Sequence, residues 1–332
     1  MNQDNNAQLR RKIMGYLVSQ AIFAVCELGV PDRLAAGPMP LPELARDRGA
    51  DPDALRRFLR VLAGEGLFTE PAPDLFALAE LGELLCTGAD GSLHHLAGLM
   101  SGEAYQAWGA APYSVRTGAA GFDQVYGMPY FAWLAENPAE AERFDQGQAG
   151  LVEVRLLPLL DRDWSGVTSV VDVGGGNGML LARLAARHPH LTGVVFDLPH
   201  VVESAGPALT EVADRVGTAG GDFFDKVPPG ADAYVLSQIL HDWNDERAGV
   251  ILANCRQAMP GNGRLFIVEQ ILDPDAGSGP AALLDLHMLV LLGGRERTRA
   301  DWERLLHETG FVLESVTAGP RSSLLTARPR TS

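Results

Sequence analysis

The sequence predicts an α/β protein in which a doubly wound, mostly parallel sheet fills the C-terminal half and an all-α, winged-helix-like domain stands in front of it. Three observations carry that prediction. Apolar residues recur at three- and four-residue spacing from residue 9 to about residue 90, the period of half-buried helices. After Trp164 short apolar runs alternate with helical stretches, as in a parallel sheet covered on both faces. The first of these runs, VVDVGGGNGML (Val170 to Leu180), ends in spaced glycines where a helix begins.

The N-terminal helices are LRRKIMGYLVSQAIFAVCELGV, LPELARDRGA and PDALRRFLRVLAGEGLF. Pro42 and Pro52 fall in first turns, with Leu41 and Asp51 just outside, and Gly49 and Gly64 mark helix ends. LFTEPAPDLFAL reads as two short strands around a proline turn, so residues 1–100 have the outline of three small helices and a two-stranded wing. Helical sequence including YFAWLAENPAEAERF fills a connecting region, residues 101–160. Residues 161–332 hold the strands TSVVDVG, LTGVVFD, RVGTAG, ADAYVLS, GRLFIVE, FVLES and SLLTAR. Helices at 178–187, 200–208, 244–258, 280–292 and 299–309 lie among them, and DPDAGSGP (Asp273 to Pro280) is a loop.

A chain of 332 residues fits one large core plus a smaller companion. Its formal charge of −15 repels phosphate backbones and anionic lipid surfaces, which argues against bulk nucleic acid or a membrane as partner. Cys26, Cys86 and Cys255 are odd in number and unpatterned, so buried free thiols in a reducing cytoplasm are expected rather than a disulfide framework or a zinc ribbon. MNQDNNAQLRRK lacks the apolar core of a signal peptide. Leu17 to Val30 and Leu283 to Leu292, the longest near-apolar stretches, are interrupted by charged or polar residues and fall short of the ~20 residues that span a bilayer.

In a doubly wound sheet ligands bind beyond the carboxyl ends of the strands, and Asp172, Gly174, Gly176 and Gly178 occupy the first such turn. Neither a dinucleotide G-x-G-x-x-G nor a phosphate-loop lysine fits the spacing. The pattern D-x-G-x-G-x-G instead resembles the first motif of class I S-adenosylmethionine-dependent methyltransferases. That cofactor carries no phosphate but an amino-acid moiety and a sulfonium cation; an acidic residue complements its ammonium group, and glycines let backbone approach. Asp197 ends the second strand, 19 residues after Gly178, where it can accept hydrogen bonds from ribose hydroxyls, with Leu198 beside it. GGDFF offers Asp222 for an adenine amino group and Phe223 as an apolar wall.

D-x-G-x-G-x-G, FDLP, GDFF, HDW and GGRERT, in this order, resemble small-molecule O-methyltransferases of the plant caffeic-acid type and their bacterial relatives acting on aromatic natural products. The likeness runs over nearly the whole chain and includes ELGVPD and YGMPYF. It implies a Rossmann-like cofactor domain behind a winged-helix dimerisation domain, a homodimer, S-adenosyl-L-methionine as donor with S-adenosyl-L-homocysteine as product, and no metal. It further implies that His241 is the general base taking a proton from the acceptor hydroxyl, that Glu296 holds its imidazole, and that Asp242 and Trp243 contact the cofactor. Ser237 stands where plant members carry a cofactor-contacting lysine. A second glutamate expected near the C-terminal strand has no match in SSLLTARP (Ser322 to Pro329), leaving His241 and Glu296 as a pair.

A free histidine of pKa ~6.5 facing a phenol of ~10 leaves about 5 kcal/mol against complete proton transfer beforehand. Proton removal is therefore coupled to methyl transfer, or the phenol is acidified. Met128, Tyr130, Phe131, Trp133, Phe144, Met288 and Leu292 could wall a flat aromatic acceptor, and the resemblance selects Phe131 and Met288. His94 and His95 are adjacent, point apart on a helix and read as surface or cap residues. Arg56, Arg57 and Arg60 read as a solvated face, or else as the arginines of a ligand-responsive DNA-binding winged helix. A decarboxylase or hydroxylase on the same scaffold, or an N- or C-methyltransferase, is also compatible with these motifs.

Overall fold

Val170 faces one side of a sheet while Val171 and Val173 face the other, and this alternation along neighbouring strands builds a core on each face. The computed structural model describes residues 2–273, 275, 277 and 279–330, with the backbone alone for residues 2, 3 and 149–154. The chain divides into two compact units, Met1–Gln106 with Leu134–Leu151 and Ala107–Trp133 with Val152–Ser332, so that residues 101–160 contribute to both.

In the first unit α1 (Asn2–Ile13) and α2 (Gly15–Glu27) break at Met14, and α3 (Val30–Leu34), α4 (Leu41–Arg48) and α5 (Pro52–Gly64) follow. Asp51 caps α5 by accepting the Ala54 N–H at 2.8 Å. Leu41, expected just outside its helix, is the first helical residue, because the extended Pro40 (φ −61°, ψ 135°) takes the cap position. Leu55, Leu59 and Leu62 pack one face of α5 onto Val25, Leu44, Phe68 and Phe76. The wing has three strands rather than two: β1 (Met39–Pro40), β2 (Phe68–Ala72) and β3 (Leu75–Leu78) pair antiparallel in the order β1-β3-β2.

Two of the three arginines of α5, Arg56 and Arg60, are not simply solvated. Arg56 forks onto Asp74 at 2.7 and 3.1 Å, and Arg60 onto Glu70 at 2.9 and 2.8 Å. The wing's own carboxylates occupy the guanidinium faces that a phosphate backbone needs, which counts against the DNA-binding reading.

After α6 (Glu80–Glu83) comes α7 (His94–Ser101). His94 and His95 do not point apart: their rings meet edge to face at 5.2 Å, because Nδ1 of His94 is drawn to the Leu85 carbonyl at 3.0 Å. Then follow α8 (Glu103–Trp108), α9 (Ala111–Thr117), α10 (Gly121–Tyr126), α11 (Tyr130–Glu136) and α12 (Pro138–Leu160). Phe122, Tyr126, Tyr130 and Trp133 gather into one aromatic group with centroids 4.3 to 6.5 Å apart, and Tyr130 is buried in it.

The second unit is built on β4 (Ser169–Val173), β5 (Thr192–Asp197), β6 (Val216–Gly220), β7 (Ala233–Ser237), β8 (Arg264–Glu269), β9 (Phe311–Ala318) and β10 (Ser323–Pro329), in the order β6-β5-β4-β7-β8-β10-β9. The first five are parallel; β10 runs antiparallel to β8 and β9. The helices are α13 (Met179–Arg187), α14 (Pro199–Val202), α15 (Gly206–Leu209), α16 (Asp245–Ala258), α17 (Pro280–Leu292) and α18 (Arg299–Glu308). The single helix expected over 200–208 is broken into short pieces, since Pro207 lacks the N–H that a continuous helix requires. Strand order reverses direction between β4 and β7, opening a crevice at their carboxyl ends. Within the expected loop Asp273–Pro280, residues 274, 276 and 278 lie outside the described residues. Cys26, Cys86 and Cys255 are free and buried. Among the described residues no helix is long and apolar enough to cross a membrane.

Candidate active site

Asp172 is buried in β4, and its Oδ2 has no hydrogen-bond partner. Burial, with the charge of Asp197 adding to it, pushes its carboxyl up to about 7. An orphaned buried acid is expensive unless a cationic or donor group comes to it. The chain turns at Gly174 (φ +73°), where a Cβ would meet the Ile239 side chain at 2.5 Å. Gly176 (φ +55°) has open space where a Cβ would stand, and its N–H donates to Asp197 Oδ2 at 2.9 Å.

Asp197 closes β5 and also accepts the Leu198 N–H at 2.7 Å through Oδ1; each oxygen keeps a lone pair for a further donor. Burial raises its carboxyl although both backbone bonds oppose the shift. Beyond β6, Asp222 Oδ1 accepts the Phe224 N–H at 2.8 Å, which fixes the turn carrying Phe223. Phe223 and Phe224 meet Trp243 edge to face at 6.2 and 4.8 Å, and the Arg247 guanidinium lies 4.7 Å from the Trp243 ring centre. Trp243 Nε1 is buried without a partner. The expected cofactor residues thus line up at the ends of β4, β5, β6 and β7, with Ser237 the last residue of β7.

Past Ser237, Gln238 adopts the left-handed region (φ +57°), and a 3₁₀ turn, Leu240–Asp242, buries His241 to 6% exposure. Nδ1 of His241 lies 2.7 Å from Glu296 Oε1, and Nε2 lies 3.4 Å from Asp242 Oδ1. A carboxylate on Nδ1 makes that nitrogen the N–H donor and leaves the lone pair on Nε2. The Glu296 N–H is held by Asp285 Oδ1 at 2.8 Å.

The pairing of His241 with Glu296 alone needs correction, because a second glutamate is present, supplied by β8 rather than by the C-terminal strand. Glu269, wholly buried, has Oε2 3.7 Å from His241 Nδ1, accepts the Leu240 and His241 N–H groups at 2.9 and 3.3 Å, and accepts the Gln238 amide at 3.2 Å. Its signal was available: an acid ending an otherwise apolar strand, as at the end of β5. Burial raises Glu269. Burial alone pulls the His241 imidazolium down, yet Glu269, Glu296 and Asp242 outweigh it and raise His241 to about 10. Burial pushes Asp242 up to about 7, with the two glutamates adding and His241 opposing.

Arg297 carried no expectation in the sequence, although it lies in GGRERT. It is fully buried and donates to the Leu240 carbonyl at 2.7 Å, the Trp243 carbonyl at 2.8 Å and Asp245 Oδ1 at 2.9 Å. These bonds clamp the turn on both sides of His241. The Arg295 N–H closes the clamp on the His241 carbonyl at 2.8 Å.

His241, Glu269 and Glu296 offer ligand atoms within 4.8 Å of one another. The short Nδ1 to Oε1 contact and the donors already on Glu269 account for them as hydrogen-bonded groups. Of the two residues expected to wall the acceptor, Phe131 lies 6.4 Å from Trp243, and Met288 is buried on α17, which leads into the Glu296 loop.

Known proteins resemble this chain over nearly its whole length. Residues 108–312 match the family model for the O-methyltransferase domain, and residues 11–88 that for the O-methyltransferase dimerisation domain. The chain is 41% identical to phenazine O-methyltransferase PhzM of Lysobacter antibioticus, over 97% of this chain and 95% of that protein. It is 38% identical to 8-amino-8-demethylriboflavin N,N-dimethyltransferase of Streptomyces davaonensis, over 90% and 88% of the two chains. Among solved structures it resembles the O-methyltransferase NcsB1 from neocarzinostatin biosynthesis, in complex with S-adenosylmethionine and 2-hydroxy-5-methyl naphthoic acid, with a TM-score of 0.85, 31% identity and coverage of 94% and 95%. With a matching catalytic domain, a matching dimerisation domain and these relatives, the chain belongs to the S-adenosylmethionine-dependent O-methyltransferase family.

Proposed function

We propose that the protein methylates a phenolic hydroxyl of a small aromatic metabolite, with His241 as general base. The observation that carries this reading is the 2.7 Å contact of Glu296 on Nδ1, which directs the basic lone pair of His241 to Nε2. The residues present suit the cofactor: the orphaned Asp172 oxygen fits an ammonium group, the open side of Gly176 fits an amino-acid moiety, and Asp197 beside Leu198 retains lone pairs for ribose hydroxyls. Asp222, Phe223, Asp242 and Trp243 would surround the base, with Gly174 and Ser237 flanking the amino-acid end. S-adenosyl-L-methionine supplies a methyl group on a cationic sulfur and leaves as S-adenosyl-L-homocysteine.

The chain's own task is to hold and move the hydroxyl proton. The carboxylates that raise His241 to about 10 bring its imidazole toward a phenol of ~10, so proton transfer between them is less uphill than the about 5 kcal/mol facing a free histidine. The opposing consequence is that little neutral imidazole is present at pH 7, so turnover should rise with pH. Phe131 and Met288 would wall the acceptor, in keeping with their place beside Trp243 and on α17. Residues 1–100 would serve homodimerisation, in keeping with the matched dimerisation domain and the exposed Ile13, Met14, Tyr16 and Leu17 on and between α1 and α2.

A second reading, transfer to an aryl amine, is favoured by the relative named as an N,N-dimethyltransferase. Methyl-labelled S-adenosylmethionine assayed against matched phenols and anilines separates the two. Label on the phenols alone supports the proposal; label on the anilines alone overturns it.

A further inference from the structure

His287 is a second buried histidine that methyl transfer assisted by His241 does not use. It lies on α17, a helix that packs against the turn carrying His241, and is only 7% exposed. The Trp108 indole N–H points at its Nδ1 from 3.3 Å. An indole nitrogen can only donate, so Nδ1 is the accepting nitrogen and the ring proton sits on Nε2. Among the described residues nothing accepts that Nε2–H. Nor is Nε2 one of the buried nitrogens sealed from solvent, so what little of the side chain is open includes its donor. A side chain more than nine-tenths buried, with its tautomer set by a neighbour and its donor unanswered by protein, has that donor available to a ligand.

Resting on the acceptor site of the proposed function, we infer that His287 is a specificity-determining residue whose Nε2–H donates to an uncharged lone-pair group, a ring nitrogen or carbonyl oxygen, borne by the aromatic system that carries the methylated hydroxyl. An anionic group suits the place less well, because Glu269, Glu296 and Asp242 are concentrated around the neighbouring His241. Burial, with the charge of His241 adding to it, lowers the His287 imidazolium to about 4, so the ring stays neutral and keeps one donor and one acceptor through the working pH range. A site with a fixed donor discriminates against an isostere that lacks the acceptor far more strongly than a plain apolar wall does.

The test pairs ring isosteres with substitutions that separate the two nitrogens. The hydroxyquinolines, carrying the ring nitrogen at different distances from the hydroxyl, are compared with 1- and 2-naphthol, which have C–H instead. His287→Asn keeps an acceptor near Nδ1 for Trp108 but removes the donor at Nε2; His287→Gln places an amide N–H near Nε2. For the best-used hydroxyquinoline, His287→Asn should lower kcat/KM on the order of tenfold more than it does for the naphthols, and His287→Gln should recover most of that difference. Equal losses on both ring systems, or no recovery with Gln, overturn the role of His287 while leaving the methyltransferase reading intact. A wild-type enzyme that methylates anilines and no phenol overturns the acceptor class and this inference together.

Discussion

Glu269 Oε2 lies 3.7 Å from Nδ1 of His241, the same ring nitrogen that meets Glu296 at 2.7 Å. Two carboxylates around one nitrogen stabilise the imidazolium and raise the pH at which His241 becomes a free base. Glu269→Gln removes one of those charges, so the His241 pKa falls and neutral imidazole appears at lower pH. The acid limb of the pH profile of kcat/KM should therefore move to lower pH. An unmoved limb would mean that Glu269 serves the backbone of Leu240 and His241 and not the imidazole.

Asp172, the proposed partner of the cofactor's ammonium group, also bears on the stability of the ligand-free protein. Its folded pKa of about 7 stands above the ordinary carboxyl value of 3.8. The stability associated with the protonated form is complete below pH 3.8 and is lost as pH rises through about 7. The full loss is ~4 kcal/mol at most, since a tenfold change in proton affinity is worth ~1.4 kcal/mol. Asp172→Asn escapes that loss, so thermal melts of the ligand-free protein should show the variant more stable than wild type at pH 8, with the gap closing toward pH 4. Calorimetry on the same variant should show weaker binding of S-adenosylmethionine.

Arg297 holds the His241 turn through the Leu240 and Trp243 carbonyls and Asp245. Lysine cannot reach two carbonyls and a carboxylate with one fork, and a buried carbonyl left without its donor costs ~1 to 3 kcal/mol. Arg297→Lys should therefore lower the melting temperature. Where the variant remains folded, kcat should fall more than cofactor affinity does. A melt and a kcat both equal to wild type would remove the clamp from this account.

The sheet was legible because most strands are short apolar runs closed by glycine, acid or turn residues, and three of the acids, Asp172, Asp197 and Asp222, stand at or just beyond the carboxyl ends of β4, β5 and β6. The third wing strand was not, since Met39 and Pro40 pair for two residues only and carry no alternation to read. His241 and Glu296 stand 55 residues apart, and only likeness to a family could join them before the fold was known. Glu269 escaped because the second acid was expected on the C-terminal strand, although β8 ends on an acid just as β5 does. The forks of Arg56 and Arg60 depend on a hairpin folding back on its helix, which periodicity cannot see.

Nε2 of His241 is proposed to take the acceptor's proton. His241→Ala, assayed for methyl transfer to a responsive phenol alongside calorimetric titration with S-adenosylmethionine, tests it most directly. Turnover should fall by on the order of 10²-fold or more with cofactor affinity held. Turnover equal to wild type at unchanged affinity would contradict it.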